Sequence, residues 1–354
     1  MYQKVLKTAI RTGCILLGIF LFLNIVNPLV ANAENNNSKP VIYLHDGAID
    51  EYVSYLLLST MDSVDLKGVI IVNADCIDIP AVNTQWKFQQ FTGQTDIPVA
   101  LSRARGWNPF PWDFRKQCIQ QGNVGLLNDY ESAPGYPSGE KLLKKSLKRA
   151  IKNKEPVTLL VNCPLTPLYL VLSKNPELEK GIKRLIWMGG AINVPGNLGN
   201  PPAIPKQAAN QEAEWNVFWD PSSTKWVFKN TSFPIIEFPL DITDNAKITK
   251  EFLTKLKKQG EKYKYSRLAF QSYSIITGLS EVNQAGYEMW DVLTTTFLEK
   301  PGLITNSSEL KLDVITEGKK QGALVKKKKG RKVRVMFEFD HDSYYKYVLQ
   351  KFKK

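Results

Sequence analysis

The chain has 354 residues, of which 43% are hydrophobic and 23% are charged, and its formal net charge is +13. This composition excludes a disordered chain, a collagen-like chain and a membrane protein with several spans, and the length fits one large domain or at most two. The charge excess lies at the ends: residues 1–33 contribute +3, residues 318–354 contribute +10, and the body between them is neutral.

The first 33 residues have the pattern of a secretory signal peptide. Three basic residues precede an apolar run over 15–26, and Ala31-Asn32-Ala33 fits the small-x-small rule for cleavage. We therefore predict an exported protein, periplasmic or secreted, with a signal peptide at 1–33 and a single domain at 34–354, and with no membrane span after cleavage. The alternative is an uncleaved segment that anchors the protein in the membrane.

Export permits disulfides, but the mature chain would keep only Cys76, Cys118 and Cys163. An odd number of cysteines without paired spacing argues against a disulfide framework and against a zinc site. We expect all three to be small buried apolar residues.

Short apolar runs alternate with helix-like stretches along the neutral body. The predicted strands lie at 40–44, 66–72, 157–161 and 182–188. The helix-like stretches that follow the first three lie at 50–60, 80–92 and 164–173. This alternation predicts an α/β fold with an open, mostly parallel, doubly wound sheet and helices on both faces, in which ligands bind beyond the carboxyl ends of the strands. A long loop at 193–210, rich in Pro, Gly and Asn, is a candidate lid.

The basic C-terminal segment contains two predicted strands around KKKKGRK (326–332) and an amphipathic last helix over 342–352. A basic run between two strands is usually a solvated hairpin tip, and we favour that interpretation. The alternative is a surface for nucleic acid or an anionic membrane, which would make binding strongly salt-dependent. Nucleic acid is the less expected partner, because the excess charge lies outside the body.

The first predicted strand is followed by HDGAIDE (45–51), which places Asp46, Asp50 and Glu51 at a strand-to-helix turn. Three close carboxylates repel one another unless a cation or hydrogen-bond donors compensate their charge. An all-oxygen cluster suits a hard cation such as calcium or magnesium. The alternative is that Asp50 only caps the following helix while the other two carboxylates are solvated.

Further polar motifs come after the later strands. They are NAD (73–75), NCPLT (162–166), GG (189–190), AEWNVFWDP (213–221) and MWD (289–291). In this order, from about residue 40 to the C-terminus, the motifs resemble those of the inosine-uridine preferring nucleoside hydrolase family, and most of all its purine-specific branch. The resemblance implies calcium-dependent hydrolysis of purine ribonucleosides to free base and ribose, and a homodimer or homotetramer.

The resemblance also implies roles for single residues. Asp46 would take a proton from the attacking water and would bind calcium. The other implied metal ligands are Glu51, Asp291 and the backbone carbonyl of Asn162. The implied ribose ligands are Asp50, Asn197, Glu214 and Asn216. The implied contacts to the base are Asp75, Trp290 and one aromatic residue of 107–115, for which we choose Trp112.

These residue types suit the cleavage of an N-glycosidic bond. The sugar becomes oxocarbenium-like, so carboxylates stabilise it and a base must activate water, while the leaving base must gain a proton. The chain has only two histidines, His45 and His341, and Trp290 stands where the branch that also cleaves pyrimidines places a histidine acid. Stacking can make a purine nitrogen basic enough to be protonated by solvent, a route that pyrimidines lack. Trp290 therefore predicts purine selectivity.

Three positions depart from the motif that the family carries at the first turn. Leu44 replaces an aspartate, Ala48 replaces an asparagine that holds ribose, and Glu51 replaces an aspartate. Lost contacts of this kind typically cost about tenfold or more each in affinity or activity. They motivate an alternative hypothesis, a catalytically impaired or altered-substrate member that binds a nucleoside or another ribosyl compound.

Overall fold

The computed structural model describes residues 38–198, 210–277 and 287–354. The predicted signal peptide therefore lies outside the described residues, as do residues 199–209 of the predicted lid. Ser38–Lys354 forms one unit in the contact pattern of the chain. No helix within the described ranges combines the length and the apolarity that a bilayer crossing requires.

The described residues form one sheet of nine strands in the order β3-β2-β1-β4-β5-β6-β9-β7-β8. The strands are β1 (Lys39–His45), β2 (Val64–Ile71), β3 (Val99–Leu101), β4 (Val157–Asn162), β5 (Ile182–Met188), β6 (Ile235–Phe238), β7 (Ile304–Val314), β8 (Leu324–Lys326) and β9 (Arg331–Phe339). All neighbouring pairs from β3 to β9 are parallel, whereas β7 runs antiparallel to β9 and β8. The predicted open, mostly parallel α/β sheet is confirmed.

Helices occupy most of the connections between these strands. They are α1 (Ile49–Leu58), α2 (Asp78–Thr92), α3 (Trp112–Arg115), α4 (Gln117–Gln121), α5 (Gly139–Asn153), α6 (Thr166–Leu172), α7 (Trp215–Trp219), α8 (Pro221–Asn230), α9 (Leu240–Thr243), α10 (Lys250–Gly260), α11 (Lys264–Thr277), α12 (Trp290–Thr296) and α13 (His341–Lys351). Short 3-10 turns lie at Gly125–Leu127, Pro176–Gly181, Pro301–Leu303 and Gly318–Lys320.

The central parallel strands are buried on both faces, as their apolar sequences require, whereas most of β7 is exposed or half-buried. Alternate side chains of β1 enter different cores: Val41 and Tyr43 belong to one cluster, whereas Ile42 and Leu44 belong to the other. Leu44, which replaces the aspartate of the family motif, is completely buried in this second core. The interior of the central strand β1 is therefore apolar up to its end, where His45 and Asp46 follow.

Cys76 and Cys118 form a disulfide with their Cα atoms 6.1 Å apart, while Cys163 is free and buried. The prediction that no cysteines pair is wrong, because pairing was judged from spacing in the chain. The partners are separated by 42 residues and meet only because α4 packs against the loop that follows β2. The disulfide thus ties that loop to the segment that carries α3 and α4.

The two strands predicted around the basic run, at 314–315 and 333–337, fall at the end of β7 and within β9, which pair antiparallel. They do not form a simple hairpin, because the unpredicted strand β8 lies between them in the chain. Strands β8 and β9 do not pair with each other, because both pair with β7 and lie on either side of it. The basic turn therefore crosses the end of β7. A Cβ on Gly330 would lie 2.5 Å from the carbonyl oxygen of Leu312, so this close crossing requires glycine.

Candidate active site

A cavity of about 330 Å³ opens at the carboxyl ends of the central strands. Its lining residues are Asp46, Ala48, Glu51, Asp75, Phe110, Phe114, Gln117, Met188, Asn197, Glu214, Trp215, Asn216, Ile276, Tyr287, Trp290 and Asp291. Eight of the eleven residues selected from the sequence are in this set. The three that are not are Asp50, Trp112 and Asn162.

Asp46 is fixed at the end of β1 by the loop that follows β2. One carboxylate oxygen of Asp46 accepts the backbone N–H of Asp75 at 3.1 Å, and its backbone carbonyl accepts the N–H of Cys76 at 2.8 Å. Gly47 has φ +91°, and a Cβ there would lie 2.9 Å from Cβ of Cys76. Only glycine fits this turn, which lets the chain reverse into α1 without moving Asp46 away from the cavity.

The carboxyl groups at this end of the sheet are crowded and little exposed. Burial raises the pKa of Asp46, and hydrogen bonding with Glu51 partly offsets that shift. Burial and the charge of Asp46 raise the pKa of Glu51, whose carboxylate accepts the backbone N–H of Ala48. Burial, and then the charges of Asp50 and Asp46, raise the pKa of Asp291. Burial and mutual repulsion thus disfavour the ionised forms of these carboxyl groups, and a bound cation would favour them.

Asp50 is completely buried, and protein donors satisfy both of its oxygens. Oδ1 accepts the hydroxyl of Tyr273 at 2.6 Å, while Oδ2 accepts the backbone N–H groups of Asp291 at 2.7 Å and Val292 at 3.1 Å. Burial raises the pKa of Asp50 to about 7. This geometry differs from the implied ribose contact, because Asp50 holds the first turn of α12 and does not line the cavity.

Glu214 and Asn216 lie at the start of α7. The Glu214 carboxylate accepts the backbone N–H groups of Asn216 (2.8 Å), Gly190 (2.8 Å) and Val217 (3.3 Å). Burial nevertheless raises the pKa of Glu214 to about 7. The Asn216 amide donates to the backbone carbonyl of Met188 at 3.1 Å. Two polar side chains therefore face the cavity in fixed orientations.

Asn197 and Asn162 differ in their access to the cavity. Asn197 lines it, and its buried Oδ1 has no hydrogen-bond partner among the described residues, as suits an acceptor that awaits a ligand. The side chain of Asn162 is instead buried against β1, where its amide donates to the hydroxyl of Tyr43 at 3.3 Å. Its implied role concerns the backbone carbonyl, which lies at the end of β4 beside His45.

Aromatic rings form two groups in the lining. Phe110 lies 4.6 Å from Trp215 between ring centroids, and Phe114 contacts the same indole edge-on. Trp290 packs edge-on against Tyr287 at 4.7 Å. Trp112, which we chose from 107–115, is 62% exposed and lies outside the cavity, so that choice is corrected to Phe114 or Phe110. The helix α3 is only four residues long, and the sequence does not fix which face it turns inward.

Sequence reasoning also missed Gln117, Trp215 and Tyr287. Trp215 lies inside the AEWN motif, and Tyr287 lies three residues before Trp290. Their closeness to these motifs is the sequence feature that could have indicated them as lining residues. Neither histidine can serve the cavity. Burial lowers the pKa of His45 to about 3, its Nε2 lies 3.2 Å from the side-chain oxygen of Gln85, and His341 is at the start of α13.

The sequence of residues 41–346 matches the model of the inosine-uridine preferring nucleoside hydrolase family. The chain belongs to this family. It is also similar to a solved inosine-uridine preferring nucleoside hydrolase from Bacillus anthracis, with 31% identity and a TM-score of 0.79 over 89% of this chain and 99% of that one. The protein is therefore a nucleoside hydrolase in its fold and in its sequence motifs.

Named relatives of this nucleoside hydrolase differ in their substrates. The pyrimidine-specific ribonucleoside hydrolase RihA of Citrobacter koseri is 26% identical over 79% of this chain and 85% of that relative. The RihA of Shewanella woodyi is 28% identical over 62% of this chain and 66% of that relative. A purine-preferring ribonucleoside hydrolase from Gardnerella vaginalis has a TM-score of 0.72 at 16% identity, with 89% of this chain and 98% of that one covered, which shows a shared fold alone.

Nucleoside hydrolases are metal-dependent, and the donors of this chain fit a hard cation in their chemistry. Asp46, Glu51 and Asp291 line one cavity, and a buried oxygen of Asp291 has no hydrogen-bond partner among the described residues. Oxygen donors without thiolate or imidazole favour calcium or magnesium. Within the described ranges, however, no three His, Cys, Asp or Glu side chains already converge as a metal-binding group.

Proposed function

We propose that this nucleoside hydrolase is a calcium-dependent purine nucleosidase that releases free base and ribose. The observation that carries the proposal is one cavity that combines the Asp46 carboxylate, the polar pair Glu214 and Asn216, and the aromatic pair Tyr287 and Trp290. A carboxylate beside an oxocarbenium-like sugar, and aromatic rings beside the base, are what cleavage of an N-glycosidic bond needs.

Asp46 is the base in this proposal. Its position is fixed by the N–H of Asp75, and its carboxylate faces the cavity, so it can accept a proton from a water placed against the sugar. Bound among Asp46, Glu51 and Asp291, calcium would supply the positive charge that keeps these carboxylates ionised and that polarises the attacking water. Glu214, Asn216 and Asn197 would accept and donate the hydrogen bonds of the ribose hydroxyls.

The leaving base would stack on Trp290 and on Phe114 or Phe110, next to Asp75. Trp290 is oriented by a hydrogen bond from its indole N–H to Asp244 at 2.9 Å. No histidine lines the cavity among the described residues, so a base that solvent can protonate is favoured. This property supports purines over pyrimidines.

The second candidate is hydrolysis of pyrimidine nucleosides, which the similarity to RihA proteins favours. A pyrimidine must receive its proton from the protein, and Tyr287 brings a hydroxyl group into the lining. The hydroxyl accepts the backbone N–H of Asp50 at 3.3 Å and keeps its own proton for a hydrogen bond to the base. Burial raises the pKa of Tyr287, however, which makes full proton transfer to a pyrimidine harder. A third candidate, a binder without turnover, is favoured by Ala48, which lines the cavity but offers no polar group.

Hydrolysis of inosine, guanosine, adenosine, uridine and cytidine by the purified protein, with calcium and then with a chelator, tests the proposal. We expect release of purine bases that stops when calcium is chelated and returns when it is added back. Uridine or cytidine hydrolysis without inosine hydrolysis would support the second candidate. Saturable binding of nucleosides in a calorimeter without any turnover would support the third.

We also propose that the protein is exported and that it assembles as a homodimer or homotetramer. The first proposal rests on the leader pattern at 1–33 and the second on the family. The mass of the protein recovered from the producing cells would decrease by that of residues 1–33 if the leader is cleaved. Light scattering of the purified protein would show the number of subunits, and a monomer would contradict the second proposal.

A further inference from the structure

A second concave site lies at the edge of the sheet that faces away from the active-site cavity. This groove has a volume of about 1090 Å³ and is bordered by the first residues of β5, β6 and β9 and by the end of α8. The groove and the active-site cavity lie at opposite ends of strand β5. Lys183 and Arg184, near the start of β5, line the groove, whereas Met188, at its end, lines the cavity. A seven-residue strand spans about 20 Å, so a ligand in the groove would not reach the active site.

The groove lining is strongly cationic. The basic residues are Lys183, Arg184, Lys225, Lys229, Lys327, Lys329, Arg331, Lys332 and Arg334, and the acidic residues are Glu309 and Asp313. Asp313 is paired with Lys327 at 2.5 Å and with Lys225 at 3.9 Å, and Glu309 is paired with Lys332 at 2.7 Å. Nine cationic groups against two carboxylates leave a formal excess of seven positive charges in the lining. An excess of this size creates a potential that concentrates anions.

Two exposed lysines, Lys229 and Lys329, have no carboxylate within salt-bridge distance among the described residues. Lys229 is at the end of α8 and Lys329 is in the turn between β8 and β9, so they approach the groove from different elements. Arg331 is held differently: its guanidinium donates to the backbone carbonyls of Thr231 and Phe233. The lining therefore combines a fixed cation with lysine side chains that are available to a ligand.

The backbone holds the basic turn in place. The N–H of Lys327 donates to the carbonyl of Lys311 at 2.8 Å, and the N–H of Gly330 donates to the carbonyl of Lys327 at 2.8 Å. The turn crosses β7 at Leu312, where only glycine fits at position 330. Three consecutive lysines, 327 to 329, lie in this turn directly after Lys326 of β8, and their mutual repulsion is a cost that an anionic ligand would relieve.

The lining indicates which anion fits. Its one aromatic residue, Phe228, is only 4% exposed, so no open ring is available to stack a nucleobase. Binding to a membrane surface uses exposed apolar side chains that insert between the lipids. Among the described residues, the exposed large apolar side chains all lie outside this groove, so the groove lacks that means of binding a membrane. These side chains are Ile79, Trp107, Trp112, Ile119, Tyr136 and Val194. We propose that this groove binds a linear, soluble polyanion of closely spaced phosphates, and that it contacts the phosphates alone.

The test titrates the full-length protein with fluorescently labelled inorganic polyphosphate of about 20 phosphates, at roughly 50 to 200 mM salt. The groove variant is Lys229→Glu with Lys329→Glu. The matched control is Lys145→Glu with Lys148→Glu, which reverses the same number of charges on exposed lysines of α5. A milder variant, Lys229→Gln with Lys329→Gln, guards against misfolding, and a thermal unfolding curve checks each variant independently of hydrolase activity.

We expect saturable binding by the wild type and the control, and affinity about tenfold or more lower in the groove variant, with a smaller loss in the Gln variant. The logarithm of the binding constant should decrease linearly with the logarithm of salt concentration, and less steeply in the groove variant. Equal affinity of the groove and control variants, or no binding at the lowest salt, would overturn the proposal. Tighter binding to single-stranded RNA or to anionic lipid vesicles than to polyphosphate would overturn the assigned ligand class.

Discussion

Asp50 on α1 and Asp291 on α12 are joined by a hydrogen bond of 2.7 Å from the backbone N–H of Asp291 to a carboxylate oxygen of Asp50. The same oxygen accepts the N–H of Val292. Asp50 therefore satisfies free amides at the start of the helix that carries Trp290 and Asp291 into the cavity. The carboxylate acts on the site through the helix that it positions.

Replacement of Asp50 tests this positioning role. Asp50→Ala removes the carboxylate that accepts from two backbone amides and from the Tyr273 hydroxyl, and we expect the free energy of unfolding in urea to decrease by about 2 to 4 kcal/mol. The turnover number should decrease more than KM increases, and Asp50→Asn, which keeps one acceptor oxygen, should restore part of both losses. Asp129→Ala, at an exposed aspartate, is the control. Unchanged stability together with a raised KM alone would instead support direct ribose binding.

Exchange of tryptophans tests the assignment of the base platform. Trp290→Ala removes a ring from the cavity, and because stacking on a base contributes about 1 to 3 kcal/mol, kcat/KM for inosine should decrease about 5-fold to 150-fold. Trp112→Ala removes the same ring type from an exposed position outside the cavity and should leave kcat/KM unchanged. An equal loss in both variants would show that Trp112 reaches the substrate after all.

The disulfide between Cys76 and Cys118 should stabilise the segment around the cavity. The two cysteines are 42 positions apart in the chain, so the bond restricts a long loop in the unfolded state. Loss of the bond should lower the free energy of unfolding by about 2 to 4 kcal/mol. A thiol reductant should destabilise the wild type and Cys163→Ser, but not the double variant Cys76→Ser with Cys118→Ser. Equal sensitivity of the double variant to the reductant would exclude this bond as the cause.

Glu214 should make stability depend on pH. Its pKa is about 7 in the folded protein against 4.5 when exposed, so between these values the folded state binds more protons. The stabilisation is present below about pH 4.5 and is lost as the pH rises to about 7, by at most about 1.4 kcal/mol per pH unit. In Glu214→Gln, the free energy of unfolding in urea should change less with pH. The variant should also be less stable, because the amide has only one acceptor oxygen where the carboxylate has two. Exposed Glu155→Gln should keep the slope, and an unchanged slope in Glu214→Gln would contradict the assignment.

The buried parallel strands β1, β2, β4 and β5 were predictable from the sequence, whereas the short strands and most of the exposed strand β7 were not. Strand β4 was predicted at 157–161 and runs from Val157 to Asn162, because a buried parallel strand is a nearly continuous apolar run. Strand β5 has the predicted bounds, 182–188, although Lys183 and Arg184 lie near its start. Strands β3 and β6 have three and four residues, too few for a periodic pattern. The pairing at the basic turn depends on β7, which lies between β8 and β9 in space and precedes both in the chain.

The site was predictable where it follows strand ends and motifs. Asp46 lines the cavity because it directly follows β1, at the edge where the carboxyl ends of the parallel strands meet. Glu214 and Asp291 lie at the starts of α7 and α12, and only their motifs indicated them. Which ring of the 107–115 segment turns inward depends on the tertiary contact of Phe114 with Trp215, and sequence does not record it. The closure of the disulfide likewise depends on packing between elements that are distant in the chain.

The most direct test of the account is kcat/KM for inosine, measured with calcium for the wild type, Asp46→Asn and Asp62→Asn. The first variant removes the base of the proposed reaction but keeps a similar shape, and the second makes the same change at an exposed aspartate. General base catalysis typically contributes about 10² to 10⁴ in rate, so we expect a loss of this size in Asp46→Asn and none in Asp62→Asn. Hydrolysis of inosine by folded Asp46→Asn at the wild-type rate would contradict the account.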